Sequence, residues 1–225
     1  MISSRSIGLG LLGLGLGIGL LVPIFLVAYP AAGIAAGDAA KPGVVLPVLA
    51  AKPGLFMLPG ILEIVGHSVG AVAILGLWVR FGQPSFLLTC ATVAGLAWMA
   101  VDIVDNAIAY HIVPGLAASF AAGDASAGPW FVQLMTITDG VRLGAHLVGG
   151  LWIIGLSVFS IRSGLLPAAA GWFGVATGAV LSANIFVPAT MNASFMMVPV
   201  WLVVVAALLM RAEVAPVAVV QPRTA

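Results

Sequence analysis

The stretch "FVQLMTITDGVRLGAHLVGGLWIIGLSVF", residues 131–159, decides what kind of chain this is. It is longer than the roughly 20 apolar residues that cross a bilayer core. Its only charged residues are Asp139 and Arg142, with His146 one turn beyond the arginine. A soluble helix of this length would carry a full charged face. This one reads as a membrane-spanning helix with a short polar stripe, and lipid would penalise that stripe unless it pointed into a bundle.

The rest of the chain agrees. Of its 225 residues, 62% are hydrophobic and 7% are charged, and the mean hydropathy is +1.23. Soluble domains carry about 25% charged residues, so the composition excludes them. The formal net charge of +1 comes without any basic run, which gives no footprint for nucleic acid. Cys90 stands alone, so an intramolecular disulfide and a CxxC metal site are both excluded. Near the N-terminus the apolar run over 7–28 exceeds the usual core of a signal peptide, and it reads as a retained first span.

Six spans emerge, at about 7–28, 57–79, 85–110, 131–160, 165–187 and 195–211. Segments rich in Gly, Pro and Ser separate them. The predicted fold is all-α: a single polytopic membrane bundle of six transmembrane helices over 1–225, with a disordered tail at 212–225. Arg5, Arg80, Arg162, Arg211 and Arg223 fall on one side, and Lys41 and Lys52 on the other. The positive-inside rule then puts both termini in the cytoplasm, as in a multi-pass protein of a bacterial-type inner (plasma) membrane. Residues 31–56 become a long external loop between the first two spans. Its stretch "GVVLPVLAAKPGLF" is apolar for a solvated loop, and either dips back into the bilayer or lies on its surface. The first helix, "IGLGLLGLGLGIGLL", is nearly bare of side chains on one flank, which suits close helix packing in lipid.

The polar residues of the spans fall into register. Glu63 and His67 are four apart and share a face of the second span. Asp102, Asp105 and Asn106 share a face of the third, and Asp139, Arg142 and His146 share a face of the fourth. At 1.5 Å per residue, Glu63 lies about 9 Å from the external end of its helix and Asp139 about 13 Å from the end of its own. The groups therefore meet at one depth, in the outer half of the bilayer, while the inner half is almost purely apolar. Four carboxyl groups face one arginine there. Full ionisation would be very costly at low dielectric, so some acids stay protonated, histidines take up protons, or a cation binds.

Three readings follow. The preferred one is acid–base chemistry on a lipophilic molecule, with Glu63, Asp102, Asp105 and Asp139 as catalytic candidates and His67, Asn106, Arg142 and His146 in support. Trp98, Tyr110, Trp130, Phe131, Phe186, Phe195 and Trp201 supply aromatic faces at that depth; of these Trp98, Tyr110 and Phe186, with Asn184, are the substrate-binding candidates. This reading needs no cofactor and no metal. A proton- or cation-coupled transporter of a small hydrophobic molecule is the second reading. The third is a metal- or haem-binding protein using Glu63, His67 and His146, although HExxH and a paired Glu-x-x-His are absent. The expected partners are a lipophilic small molecule and membrane lipid, with room for a homo-oligomer and none for nucleic acid.

Two resemblances bear on this. "IRSGLLPAAAGWFGVATG", residues 161–178, looks like a segment common in a family of small, uncharacterised bacterial polytopic membrane proteins. In size, all-helical topology and intramembrane acids, the chain is also similar to small integral-membrane terpene cyclases. That second likeness implies cyclisation of an isoprenoid, started when a carboxylic acid protonates an alkene or epoxide. No DDxxD diphosphate motif occurs; "DIVDN" at 102–106 has different spacing.

Overall fold

The computed structural model describes residues 2–35, 37–81 and 85–211. Over these residues the chain is helical, in seven helices joined by short turns: α1 (Ser4–Ala31), α2 (Pro42–Ala51), α3 (Gly54–Phe81), α4 (Phe86–Ala121), α5 (Ala127–Ser163), α6 (Ala168–Ala183) and α7 (Met191–Arg211). Five of them, α1, α3, α4, α5 and α7, are long and apolar enough to cross a membrane. Helix α6 is apolar but has only 16 residues, about 24 Å at the α-helical rise.

The six longer helices make a closed ring. Each packs on the next in the order α1, α3, α4, α5, α6, α7, and α7 returns to α1. Helix α2 is not in the ring. It lies over one end, against α4 and α5.

Glycine lets α1 close the ring. A Cβ on Gly15 would stand 3.0 Å from Leu202 Cβ of α7, and one on Gly10 would stand 2.7 Å from Ala73 Cβ of α3. The glycines thus serve two neighbours, not the single bare flank read from the sequence. Gly8 and Gly15 face α7, while Gly10, Gly13 and Gly17 face α3. In lipid, where no hydrophobic driving force brings helices together, such close backbone approach supplies the packing contact. Past Gly19 the helix changes. Pro23 lacks an N–H, and Ile24–Ala28 widens into a π turn in which the Tyr29 amide donates to the Ile24 carbonyl.

Two apolar clusters hold the ring, one at each end. The larger is built on Leu11, Leu14, Ile74, Leu77, Leu88, Met99, Trp152, Trp201, Leu202 and Val205, and fills the end where α3 stops and α4 starts. The smaller gathers Ile34, Val45, Leu46, Leu49, Val113, Ala117 and Phe131 beneath α2. The polar residues lie between the two.

Several boundaries differ from the sequence reading. Residues 31–56 hold a ten-residue helix, α2, opened by Pro42 at a position where a missing N–H costs nothing. Helix α4 does not stop near residue 110 but continues through Pro114 to Ala121. Its alanine-rich last turns favour helix, and α2 supplies the packing on Val113 and Ala117 that outweighs the proline. The fifth predicted span contracts to Ala168–Ala183, between Pro167 and the turn at Asn184. The predicted disordered tail at 212–225 lies outside the described residues.

Candidate functional site

A cavity of about 800 Å³ occupies the space between the two apolar clusters. Its walls differ in kind. Helices α3, α4 and α5 contribute Glu63, His67, Asp102, Asn106, Asp139, Arg142 and His146, whereas α1, α2 and α7 contribute mainly apolar and aromatic side chains.

His67 and Trp98 line one end of the cavity, and from them a run of rings leads into the larger apolar cluster. His67 meets Trp98 edge-on with centroids 5.8 Å apart, Trp98 lies 5.7 Å from Trp152, and Trp152 meets Trp201 edge-on at 5.7 Å. The two inner contacts need glycine. Trp98 lies where a Cβ on Gly149 would come within 2.5 Å of its ring, and Trp152 lies 2.7 Å from the Cβ position of Gly95. Each tryptophan thus sits on a glycine of the other's helix, and the larger cluster meets the cavity at Trp98.

His67 is held from two sides. Its Nδ1 donates to the Glu63 carbonyl at 2.7 Å, and because a carbonyl only accepts, the proton on that nitrogen is assigned. Its Nε2 lies 3.1 Å from Asp102 Oδ2. That is ion-pair distance, although this buried nitrogen completes no hydrogen bond. Two bare acceptors this close would repel, so one of the two groups holds a proton, as imidazolium beside carboxylate or imidazole beside carboxylic acid. The sequence placed Glu63 and His67 as neighbours on one face. In the structure only the Glu63 backbone serves the histidine, and the Glu63 carboxylate instead accepts from Asn106 Nδ2 of α4. That same amide also donates to the Asp102 carbonyl at 2.9 Å.

Arg142 joins α5 to α4. Its Nη2 donates to Asp105 Oδ2 at 3.1 Å, while Nη1 stands 3.7 Å from Asp139 Oδ1 on its own helix. Asp105 is buried behind the guanidinium and does not line the cavity; Asp139, with a side chain 67% exposed, does.

His146 belongs to a neutral network. The Ser194 hydroxyl gives its proton to the Met191 carbonyl, so the Asn184 amide nitrogen must be the donor to Ser194 Oγ at 2.9 Å. The same nitrogen lies 3.1 Å from His146 Nδ1. That ring nitrogen is therefore the acceptor, and the imidazole carries its proton on Nε2, at the edge of the cavity.

Of the residues expected from sequence, Glu63, His67, Trp98, Asp102, Asn106, Asp139, Arg142 and His146 all line this one cavity. The other expected substrate contacts do not. Tyr110 lies over the backbone of Gly60, Asn184 is spent on His146 and Ser194, and Phe186 is 78% exposed on the outside of the bundle. Beside Trp98, the expected rings of Phe131 on α5 and Phe195 on α7 line the cavity, and three unforeseen ones join them: Phe25 and Tyr29 of α1 and Phe56 of α3. Phe25 meets Tyr29 edge-on at 5.1 Å and Phe195 at 6.0 Å. The signal for the α1 pair was its i,i+4 spacing at the end of the first span, which stopping that helix at residue 28 concealed. Gly140 and Gly144 have nothing within 4 Å of their Cβ positions, so the space beside the α5 stripe is open.

Among the described residues no three His, Cys, Asp or Glu side chains converge as a metal ion would require. No protein-family model, no curated protein and no solved structure matches the chain.

Proposed function

We propose that the chain is an integral membrane enzyme that performs acid–base chemistry on a lipophilic molecule held in this cavity. The observation that carries the reading is the 3.1 Å approach of buried His67 Nε2 to Asp102 Oδ2, both residues lining a large, aromatic-lined chamber. Six helices, α6 included, cross the bilayer with both termini cytoplasmic, in a bacterial-type plasma membrane. The α2 end is then external and the cavity opens in the outer leaflet.

Following the likeness to small membrane terpene cyclases, the reaction is a protonation-initiated cyclisation of an isoprenoid. The acid of the pair gives a proton to an alkene carbon, and the alkene's electron pair forms the new C–H bond. A second alkene then attacks the cation and closes a ring. Loss of a neighbouring proton to the same site restores the enzyme, so substrate and product have one formula. Aromatic faces favour the passing cation electrostatically. Arg142 and Asp105 position the wall. A proton- or cation-coupled transporter would need a path through the larger apolar cluster behind Trp98, which the packing of Trp98, Trp152 and Trp201 disfavours.

The test is turnover of prenyl alcohols and prenylated quinols by the purified protein, reconstituted without added metal in deuterated water. The reading expects a cyclised product carrying deuterium, lost in Asp102→Asn and kept in Phe186→Ala. Full turnover in Asp102→Asn, Asp105→Asn, Asp139→Asn and Glu63→Gln alike, or no product from any prenyl substrate, would overturn it.

A further inference from the structure

The cavity has a charge imbalance that its internal pairs do not cancel. Asp102 has His67 as a partner, and Asp105 has Arg142. Asp139 shares the same guanidinium from 3.7 Å. Glu63 is different. Among the described residues no arginine, lysine or histidine side chain stands within ion-pair distance of its carboxylate, whose recorded hydrogen bond comes from the neutral Asn106 amide. An ionised acid of this kind lining an apolar cavity is costly unless it takes up a proton or a positive group joins it.

The surroundings fit such a group. The cavity that Glu63 lines also holds the rings of Phe25, Tyr29, Phe56 and Phe195, and ring faces attract desolvated organic cations. The nearby His67 Nε2, on a residue 3% exposed, also completes no hydrogen bond. The rim between α1 and α7 is apolar: Leu26 (68% exposed) and Met196 (54% exposed) both line the cavity and face outward. There α1 has left its close packing on α7 and entered its π turn. A molecule admitted by this rim is lipid-soluble, and one held by Glu63 is positively charged.

We propose that the cavity binds a lipophilic organic cation, an alkylammonium amphiphile in chemical class, with its charged head against Glu63 and the aromatic rings and its chain toward the α1–α7 rim. This rests on the reading of the cavity as a substrate site and gives that site a charge preference. It does not depend on turnover.

The experiment measures binding of dodecyltrimethylammonium, dodecanol and dodecyl sulfate to the full chain in nanodiscs of zwitterionic lipid, with empty nanodiscs subtracting partition into lipid. Quenching of tryptophan fluorescence gives the readout, since Trp98 lines the cavity. The proposal expects the cation to bind at least tenfold tighter than dodecanol, and dodecyl sulfate to bind weakest. Glu63→Gln should erase the preference for the cation while leaving dodecanol affinity within about twofold, and Asp139→Asn should keep most of it. Equal affinity for cation and alcohol, or a cation preference unchanged in Glu63→Gln, overturns the proposal. Should Glu63→Gln fail to fold, Phe25→Leu with Phe195→Leu is the second variant, and it should weaken the cation more than the alcohol; an equal effect on both likewise overturns it. Charge preference without prenyl turnover would refute the enzyme reading alone, and turnover without charge preference would refute this one alone.

Discussion

Replacing Arg142 by methionine should destabilise the protein far more than the same change made together with Asp105→Asn. The Asp105 side chain is 1% exposed, its Oδ2 accepts from Arg142 at 3.1 Å, and its Oδ1 is buried without any partner. One guanidinium therefore carries the whole carboxylate. Removing one member of a buried pair costs about 3–5 kcal/mol, because the other charge is left uncompensated. Here the Arg142 side chain is 36% exposed, so water can reach the gap. Polar groups in membrane proteins also find partners when unfolded. Both effects favour the low end, about 3 kcal/mol, or roughly two decades in the folded-to-unfolded ratio. In the double variant the buried Asp105 charge is gone and only the exposed Asp139 loses its partner, so more than half of that loss should return, a coupling of about 1.5 kcal/mol or more. Reversible unfolding by SDS in mixed micelles, followed by tryptophan fluorescence, measures all four corners of the cycle. A loss under about 0.5 kcal/mol in Arg142→Met, or strictly additive losses, would refute the reasoning.

Two further outcomes are expected. Gly149→Ala puts a methyl 2.5 Å from the Trp98 ring and should lower stability by about 1–3 kcal/mol in thermal unfolding, whereas Gly140→Ala, whose methyl meets nothing within 4 Å, should be neutral or stabilising by up to about 1 kcal/mol; equal effects would contradict the ring packing. In the connection between α1 and α2, the Lys41 ammonium and then the Ala35 amide hold the Asp38 carboxyl below its ordinary value of 3.8, so any stability from that contact is present above pH 3.8 and lost as the pH falls through the lower folded value. An NMR titration of Asp38 should show this, and Lys41→Met should bring its midpoint back up; an unchanged midpoint would contradict the contact.

An all-helical chain of membrane character, its longer helices and the convergence of the polar stripes were legible from composition and from spacing along the chain. Those signals are local: a charge in an apolar run is costly wherever its helix sits, and residues three, four or seven apart share a face whatever that face meets. Glu63, His67, Asp102, Asn106, Asp139, Arg142 and His146 were found together in this way. Their partners were not. That His67 serves Asp102 rather than the Glu63 side chain, that Arg142 reaches Asp105 across helices, and that Asn184 fixes the His146 proton all depend on how the helices are rotated and spaced. That rotation is set by Trp98 on Gly149, Trp152 on Gly95, and the glycines of α1 against α3 and α7. The same packing turned Phe186 outward and brought Phe25, Tyr29 and Phe56 into the cavity. An aromatic is equally acceptable facing lipid or a pocket, so its sequence position carries no preference between them. A charged group is costly against lipid, and this is why the polar stripes were placed more securely before the fold was known than the aromatics, of which Trp98, Phe131 and Phe195 line the cavity but Tyr110 and Phe186 do not.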